Sequence, residues 1–409
     1  MKQIYKLTYL EKNYGTNILP LSIVENEDLP GTNPMEVLGF YKKETSLLRI
    51  KESLFKTVEH YNLFSSRLIM IDHNKFALQY CTNGFEYNAL PFINTTFDNI
   101  NIDDIKKMIV NVKTLPGEPL FAVTIIPIKD GVFGGISCSH AIADGFSLLL
   151  FLFSWGCIKD GNSFPFPSTQ RLFKGNPISF DKIDKVFIPP LSELSNEIQN
   201  RVKYVNNIKL YSKKEYFSDE FLNEIKNKAK LENAKNIISD NQIIISFLLK
   251  KYHDHIMPDT DRIRLRNPIN IRDVHPDIDS SYIGNAYFDS ITEFTKDEIN
   301  KMSIYEIAYR LKESIINTRN ENFIKEISYL SKYGIEFKTD IFKTYPTYNI
   351  DTDIVSSNLT HVGDLESLGL GSDIGSILYM SSPAQTGFSM LKEKGGRIFA
   401  QITSRYPFM

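Results

Sequence analysis

The sequence predicts an α/β fold built from two domains of similar size. Three observations carry that expectation. The chain has 409 residues, enough for two or three domains. Strand-like and helix-like periodicities are mixed in both halves. Between the halves, from 159 to about 211, the periodicity fades and Pro165, Pro167, Pro177, Pro189 and Pro190 punctuate the chain, as in a long crossover. The expected division is therefore 1–175, a crossover over 176–212, and 213–409.

Each element follows from its pattern. Leu47, Ile50, Leu54, Val58 and Tyr61 recur at helical spacing among polar residues such as Lys51 and Glu59, which predicts an amphipathic helix with one buried face. Strands are expected over 67–71 and 76–80, with a turn at Thr82-Asn83-Gly84. The apolar runs 119–128 and 132–139, joined by Lys129-Asp130-Gly131, read as a hairpin whose second arm carries His140 to a strand end. Asp144-Gly145 then turns the chain into 146–158, apolar throughout and read as a buried helix.

In the second half Ser218 precedes a helix carrying Leu222, Ile225 and Ala229. Ser239-Asp240-Asn241-Gln242 is a capping box ahead of a helix over 243–252, and Ser303-Ile304-Tyr305-Glu306 is another ahead of Ile307, Leu311 and Ile315. Residues 262–266 alternate as a strand that continues past Pro268 to Asp273. Strands over 377–380, 388–391 and 397–403 follow, the last two separated by Glu393-Lys394-Gly395-Gly396.

Composition narrows the function classes. A hydrophobic fraction of 42% with 23% charged residues excludes a disordered or fibrous chain. A net charge of -2, with lysines dispersed, leaves no footprint for nucleic acid or an anionic membrane. Cys81, Cys138 and Cys157 cannot all pair and lack C-x-x-C spacing, which points to a reduced, cytoplasmic protein. The first residues lack an apolar signal core, and 146–158 is shorter than the roughly 20 residues a membrane span needs. A soluble protein with no membrane span is expected.

For chemistry, histidine is the side chain that is largely neutral yet proton-accepting near pH 7. Of the seven histidines, His140 alone sits at a small-residue strand end with an acid four residues on and a turn glycine after it. It is either a catalytic base or a hydrogen-bonded core histidine. A metal site is disfavoured: His140 and Asp144 stand at i and i+4, and His253 and His255 offer two more nitrogens, but a hydrolytic zinc site wants three protein ligands and a polar helix carrying them, and the residues between His140 and Asp144 are all apolar. Ser137, Ser139 and Ser147 lack a G-x-S-x-G elbow, and a serine next to a histidine in a strand faces the other side. The stretch from Gly369 to Gly375 has the wrong spacing for a dinucleotide fingerprint.

The segment from Gly134 to Gly145, with His140, Asp144 and Gly145 in H-x-x-x-D-G order and Trp155 beyond, resembles the signature of the chloramphenicol acetyltransferase, BAHD and condensation-domain superfamily of acyltransferases. Two further stretches agree in order. Residues 239–251 are similar to the family's second-domain helix, and Asn270-Ile271-Arg272 followed by Tyr282-Ile283-Gly284-Asn285 resembles its V-N-x-R and Y-x-G-N block. The resemblance spans about residues 40 to 405. The D-F-G-W-G block of plant BAHD enzymes is missing. Ser356-Ser357-Asn358 and the residues after it look more like microbial alcohol acyltransferases and condensation-like enzymes.

The resemblance implies two chloramphenicol-acetyltransferase-like domains, each a mixed β-sheet covered by helices, with an active-site tunnel at their interface. It implies His140 as general base, and Asp144 turned away from the tunnel to pair with Arg272 and so support the loop with Gly145. Ser239, Asn241, Arg264 and Arg266 are candidates for acyl-CoA contacts, although the arginines read equally as a solvated strand face. Backbone N–H groups near Gly145, or the region of Asn358, Gly284 and Asn285, are candidates for the oxyanion or the tunnel wall. The implied activity is O-acyl transfer from acyl-CoA, as a co-substrate and not a bound cofactor, to a small alcohol or amine, in secondary metabolism. Two rivals stay open: a condensation-like enzyme fed by an acyl carrier protein, and a catalytically silent binding module.

Overall fold

A computed structural model describes residues 18–20, 32–41, 46–72, 75–81, 84–168, 190–232, 237–272, 280–319, 349, 351–360, 374–381, 386–392 and 396–408. The expected turn at Thr82-Asn83, most of the crossover with Pro177 and Pro189, Asp273, the 369–373 part of the glycine-rich stretch and Glu393-Lys394-Gly395 lie outside the described residues.

The first half contains β1 (Ile18–Pro20), β2 (Met35–Tyr41), α1 (Leu47–His60), β3 (Arg67–Asp72), β4 (Lys75–Gln79), β5 (Glu86–Ala89), α2 (Ile102–Lys106), β6 (Phe121–Ile128), β7 (Gly131–Cys138) and α3 (Gly145–Asp160). The second contains α4 (Asn196–Asn207), β8 (Tyr211–Phe217), α5 (Asp219–Glu232), α6 (Asp240–Ile256), β9 (Arg262–Asn270), β10 (Tyr287–Thr295), α7 (Lys296–Lys301), α8 (Ile304–Thr318), β11 (Asp353–Asn358), β12 (Ile374–Ser381), β13 (Gly387–Lys392) and β14 (Ile398–Ser404). Among the described residues they form a small sheet, β1-β4-β3, and two larger ones, β12-β2-β7-β6-β5 and β10-β9-β11-β13-β14-β8.

The β6/β7 hairpin runs in register from Phe121 opposite Cys138 to Ile128 opposite Gly131. Every residue of β7 is buried, and its glycines make that possible: a Cβ at Gly135 would come 2.6 Å from Ile109 Cγ1. The helix α3 is buried on nearly all sides, with Leu148, Leu149, Phe151, Leu152 and Trp155 in the core. Trp155 Nε1 donates to Ser53 Oγ at 3.0 Å, tying α3 to α1. Gly161, at φ +78°, takes the left-handed position that ends the helix. On the larger second sheet, Ile263, Leu265 and Phe294 pack with Ile244 and Leu248 of α6 and Leu311 of α8. Both expected capping boxes are present, at Ser239 with Gln242 and at Ser303 with Glu306, and Thr295 with Glu298 makes another ahead of α7.

Three features depart from the sequence expectation. The strand β12, from the second half, pairs antiparallel with β2 (Met380 opposite Val37), so the sheets do not divide at 176–212. The crossover contains α4, capped by Ser195, whose Oγ accepts from Ile198 N at 3.3 Å. Ile198, Val202 and Val205 stand at helical spacing in the sequence, a signal overshadowed by the prolines that precede it. The strand β10 was unforeseen because its inward positions are Phe288, Ser290, Thr292 and Phe294, half of them polar; Ser290 Oγ lies 2.7 Å from Ser314 Oγ of α8.

Candidate active site

The polar ladder of β7 stops at Cys138, and Ser139 is clamped inward. Its N–H donates to the Leu120 carbonyl at 2.8 Å, and its Oγ lies 2.8 Å from Thr114 Oγ1 and accepts from Ala141 N at 3.1 Å. Fixing Ser139 in the core leaves His140, its neighbour, half-buried and facing the second sheet. There the imidazole meets the edge of Tyr287, with ring centroids 5.6 Å apart. Its carbonyl accepts from Asn285 Nδ2 at 2.8 Å. Nδ1 is buried without a partner among the described residues.

Four residues on, Asp144 is the N-cap of α3: Oδ1 accepts from Ser147 N at 2.8 Å. Oδ2 accepts from Ala286 N at 3.0 Å. Arg272 completes the set, Nη1 donating to Oδ2 at 2.8 Å and Nη2 to Oδ1 at 3.1 Å, the two-pronged geometry suited to a carboxylate. The remaining Arg272 donors go to the Tyr282 carbonyl (Nε, 3.0 Å), the Gly284 carbonyl (Nη2, 2.9 Å) and Asn270 Oδ1 (Nη1, 3.2 Å). Ser147 Oγ donates to the Gly284 carbonyl at 3.0 Å and accepts from Gly284 N at 3.1 Å and Arg272 Nη2 at 2.9 Å. Ser147, weighed above as a nucleophile, is thus a structural bridge.

Electrostatics follow from this wiring. Burial pushes the Asp144 pKa up, but the Arg272 charge and the hydrogen bonds from Arg272, Ser147 and Ala286 outweigh it, and the net shift is downward. For His140 burial wins: its pKa lies below the usual histidine value, against the charge of Asp144, hydrogen bonding of the ring to its own backbone and to Asn285, and the charge of Asp289. The site therefore presents a neutral imidazole on a loop anchored by a buried ion pair.

The other predicted residues fall into two groups. Gly145 opens α3, and Leu359 Cδ2, just past β11, lies 3.3 Å from where a Cβ on Gly145 would be, which brings the Asn358 end of β11 beside the loop. Asn358 Oδ1 accepts from Thr360 N at 3.0 Å and Thr360 Oγ1 at 2.6 Å. The N–H of Gly284 donates to Ser147 Oγ, and Asn285 Nδ2 to the His140 carbonyl. Ser239 Oγ caps α6 by accepting from Gln242 N at 3.3 Å, whereas Asn241 Oδ1 is buried without a partner among the described residues.

Arg264 and Arg266 are paired with carboxylates and do not form a solvated face. Arg264 Nε donates to Asp353 Oδ1 at 2.6 Å, Arg266 Nε to Asp353 Oδ2 at 2.7 Å, and Arg266 Nη1 to Asp289 Oδ2 at 2.9 Å. Asp353 and Asp289 thus balance the charge of both arginines inside the sheet. Sequence reasoning missed Asp289 and Asp353, isolated acids whose partners are set only by strand pairing. Among the described residues no group of three or more His, Cys, Asp or Glu side chains could hold a metal, and no helix is long and apolar enough to cross a membrane.

Comparison with known proteins extends this picture. An uncharacterized acetyltransferase of Arabidopsis thaliana is 21% identical over 301 residues, 67% of this chain and 65% of that protein, so the match stops short of two thirds of the relative. The crystal structure of vinorine synthase matches with TM-score 0.64 at 15% identity, covering 95% of this chain and 90% of that one. TRI101 of F. sporotrichioides, solved with coenzyme A and T-2, matches with TM-score 0.65 at 12% identity, covering 95% of each chain. The fold is therefore the mixed α/β, two-domain fold of those enzymes. Residues 11–389 match the family model described as Transferase, and the chain belongs to the Transferase family.

Proposed function

We propose that this protein is an acyltransferase that moves an acyl group from acyl-CoA to the hydroxyl, or the amine, of a small acceptor, with His140 as general base. One observation carries the reading: a histidine kept neutral by burial sits on a loop that the Asp144–Arg272 pair, Ser147 and Asn285 hold in place. His140 takes the acceptor proton as the acceptor oxygen or nitrogen attacks the thioester carbonyl. The tetrahedral intermediate then collapses, the carbon–sulfur bond breaks, and the thiolate recovers the proton from the imidazolium. Gly145 N–H at the start of α3 and the Asn358 side chain are the proposed oxyanion donors. Asn241, with its buried, unpartnered oxygen, is the proposed contact for the amide-bearing arm of the donor. Family membership and the coenzyme A bound by TRI101 support a CoA donor. The missing D-F-G-W-G block supports a microbial type of acceptor specificity, and three free cysteines support a cytoplasmic setting.

A second reading, a donor carried on a protein-bound phosphopantetheine, is favoured by one observation. Arg264 and Arg266, which could have met CoA phosphates, are consumed by Asp353 and Asp289. The deciding experiment is thiol release from acetyl-CoA and longer acyl-CoAs with a panel of alcohols and amines. Acceptor-dependent release that falls at least about 10²–10⁴-fold in His140→Ala supports the first reading. Turnover confined to carrier-bound donors supports the second. No turnover with either donor, in a folded protein, leaves a silent binding module and overturns both.

A further inference from the structure

The inference rests on His140 acting as the base, and concerns what stabilises its charged form. The strand β10 runs past the imidazole. Tyr287 sets its ring against His140, and Asp289, two residues on, faces the same side of the strand, about 7 Å further along. Arg266 Nη1 holds the Asp289 carboxylate at 2.9 Å. Arg266 is anchored in turn by Asp353 at 2.7 Å, and Asp353 by Arg264 at 2.6 Å. Arg266 and Asp353 are almost wholly buried, with side-chain exposures of 4% and 0%. The result is a row of alternating charges, largely shielded from solvent screening, whose carboxylate end, Asp289, lies on the same face of β10 as the Tyr287 that meets His140.

Among the described residues, four charged or titratable groups are placed around His140. Asp144 comes from its own loop, with both oxygens occupied by Arg272 and by the N–H groups of Ser147 and Ala286. Tyr287 and Asp289 come from β10, and Arg266 stands behind Asp289 on β9. Asp144 is committed to shaping the loop. Asp289 is a second carboxylate, placed on the opposite wall, and its charge raises the proton affinity of the imidazole against the effect of burial.

We propose that Asp289, held by Arg266, is a positioning residue that stabilises the imidazolium His140 becomes when it takes the acceptor's proton. Its field acts on the charged form alone. Removing it therefore lowers the pKa of His140, shifts the acid limb of kcat/KM to lower pH and slows turnover.

The test is an NMR titration of the protein labelled at histidine Cε1, with the His140 signal assigned by its loss in His140→Ala. In Asp289→Asn the His140 midpoint is expected to fall by about one pH unit, with the acid limb of kcat/KM following, and Asp289→Glu should return both toward wild type. Should Asp289→Asn leave Arg266 stranded and the protein unfolded, the double variant Arg266→Gln with Asp289→Asn removes both charges together and should still lower the midpoint. A His140 midpoint equal to wild type in the folded variant overturns the proposal. The titration needs no substrate. A shifted midpoint in a protein that consumes no thioester thus sinks the proposed function and leaves only the electrostatic coupling of Asp289 to His140 standing, whereas an unshifted midpoint in an active enzyme sinks the assignment alone.

Discussion

Arg272 and Asp144 stand 128 positions apart in the chain and 2.8 Å apart in space, joined by two hydrogen bonds that link the loop after β9 to the loop after β7. Both side chains are buried, at 2% and 6% exposure. Such a pair is costly to assemble, but costlier to break, because the surviving partner keeps its charge without water.

Arg272→Ala should therefore destabilise the protein by about 3–5 kcal/mol and abolish activity together with stability. Arg272→Lys should recover part of the stability and little of the activity, since an ammonium cannot reproduce the two-pronged contact or reach the carbonyls of Tyr282 and Gly284 as well. Urea denaturation alongside turnover measures both.

The same pair sets an acid limit. The folded-state pKa of Asp144 lies below its ordinary value of 3.8, so its contribution is fully present above that value and is lost as pH falls through the folded one. The stability gap between wild type and Asp144→Asn should be constant at neutral pH and narrow below about pH 3.8. Denaturant midpoints measured over a pH series test the sign.

The His140 pKa is lowered as well, here by burial, with a consequence for activity. A histidine whose pKa is lowered below 6.5 stays neutral, and able to accept a proton, further into the acid range. The acid limb of kcat/KM should therefore be centred below 6.5. A limb at or above that value would mean that the open enzyme hydrates the imidazole.

Burial also ranks the carboxylates of the second sheet. Asp353, at 0% exposure, answers two arginines, whereas Asp351 meets Arg405 at 3.2 Å with 74% of its side chain exposed. Asp353→Asn should cost about 3–5 kcal/mol and Asp351→Asn less than about 1 kcal/mol. Thermal melts of the two variants provide the comparison.

What the sequence revealed and what it concealed divide along one physical line. Local signals were legible: the β6/β7 hairpin from its apolar arms, the caps at Ser239 and Ser303 from a residue and its partner three positions on, and the His140 loop from its small residues. Non-local pairings were not. Nothing near Asp353 in the chain announces Arg264 and Arg266, whose proximity is created by the parallel pairing of β11 with β9. The pairing of Asp144 with Arg272 was legible through family resemblance, and Asp289, which that resemblance did not mark, escaped notice. The prolines before it hid α4 despite the helical spacing of Ile198, Val202 and Val205, and polar inward positions hid β10 by weakening the periodicity on which such readings depend.

The strand β12 has a consequence for how the molecule comes into being. It lies against β2, though the two are separated by nearly the whole described chain. A growing polypeptide has β2 in hand long before β12 is synthesised, so for most of translation the first sheet exposes a raw edge able to recruit other chains. Final closure must wait for a contact of very long sequence separation, the slowest kind to form. A gene split in the crossover would not yield two self-sufficient products; the amino-terminal fragment should aggregate alone and be rescued by co-expression with the remainder.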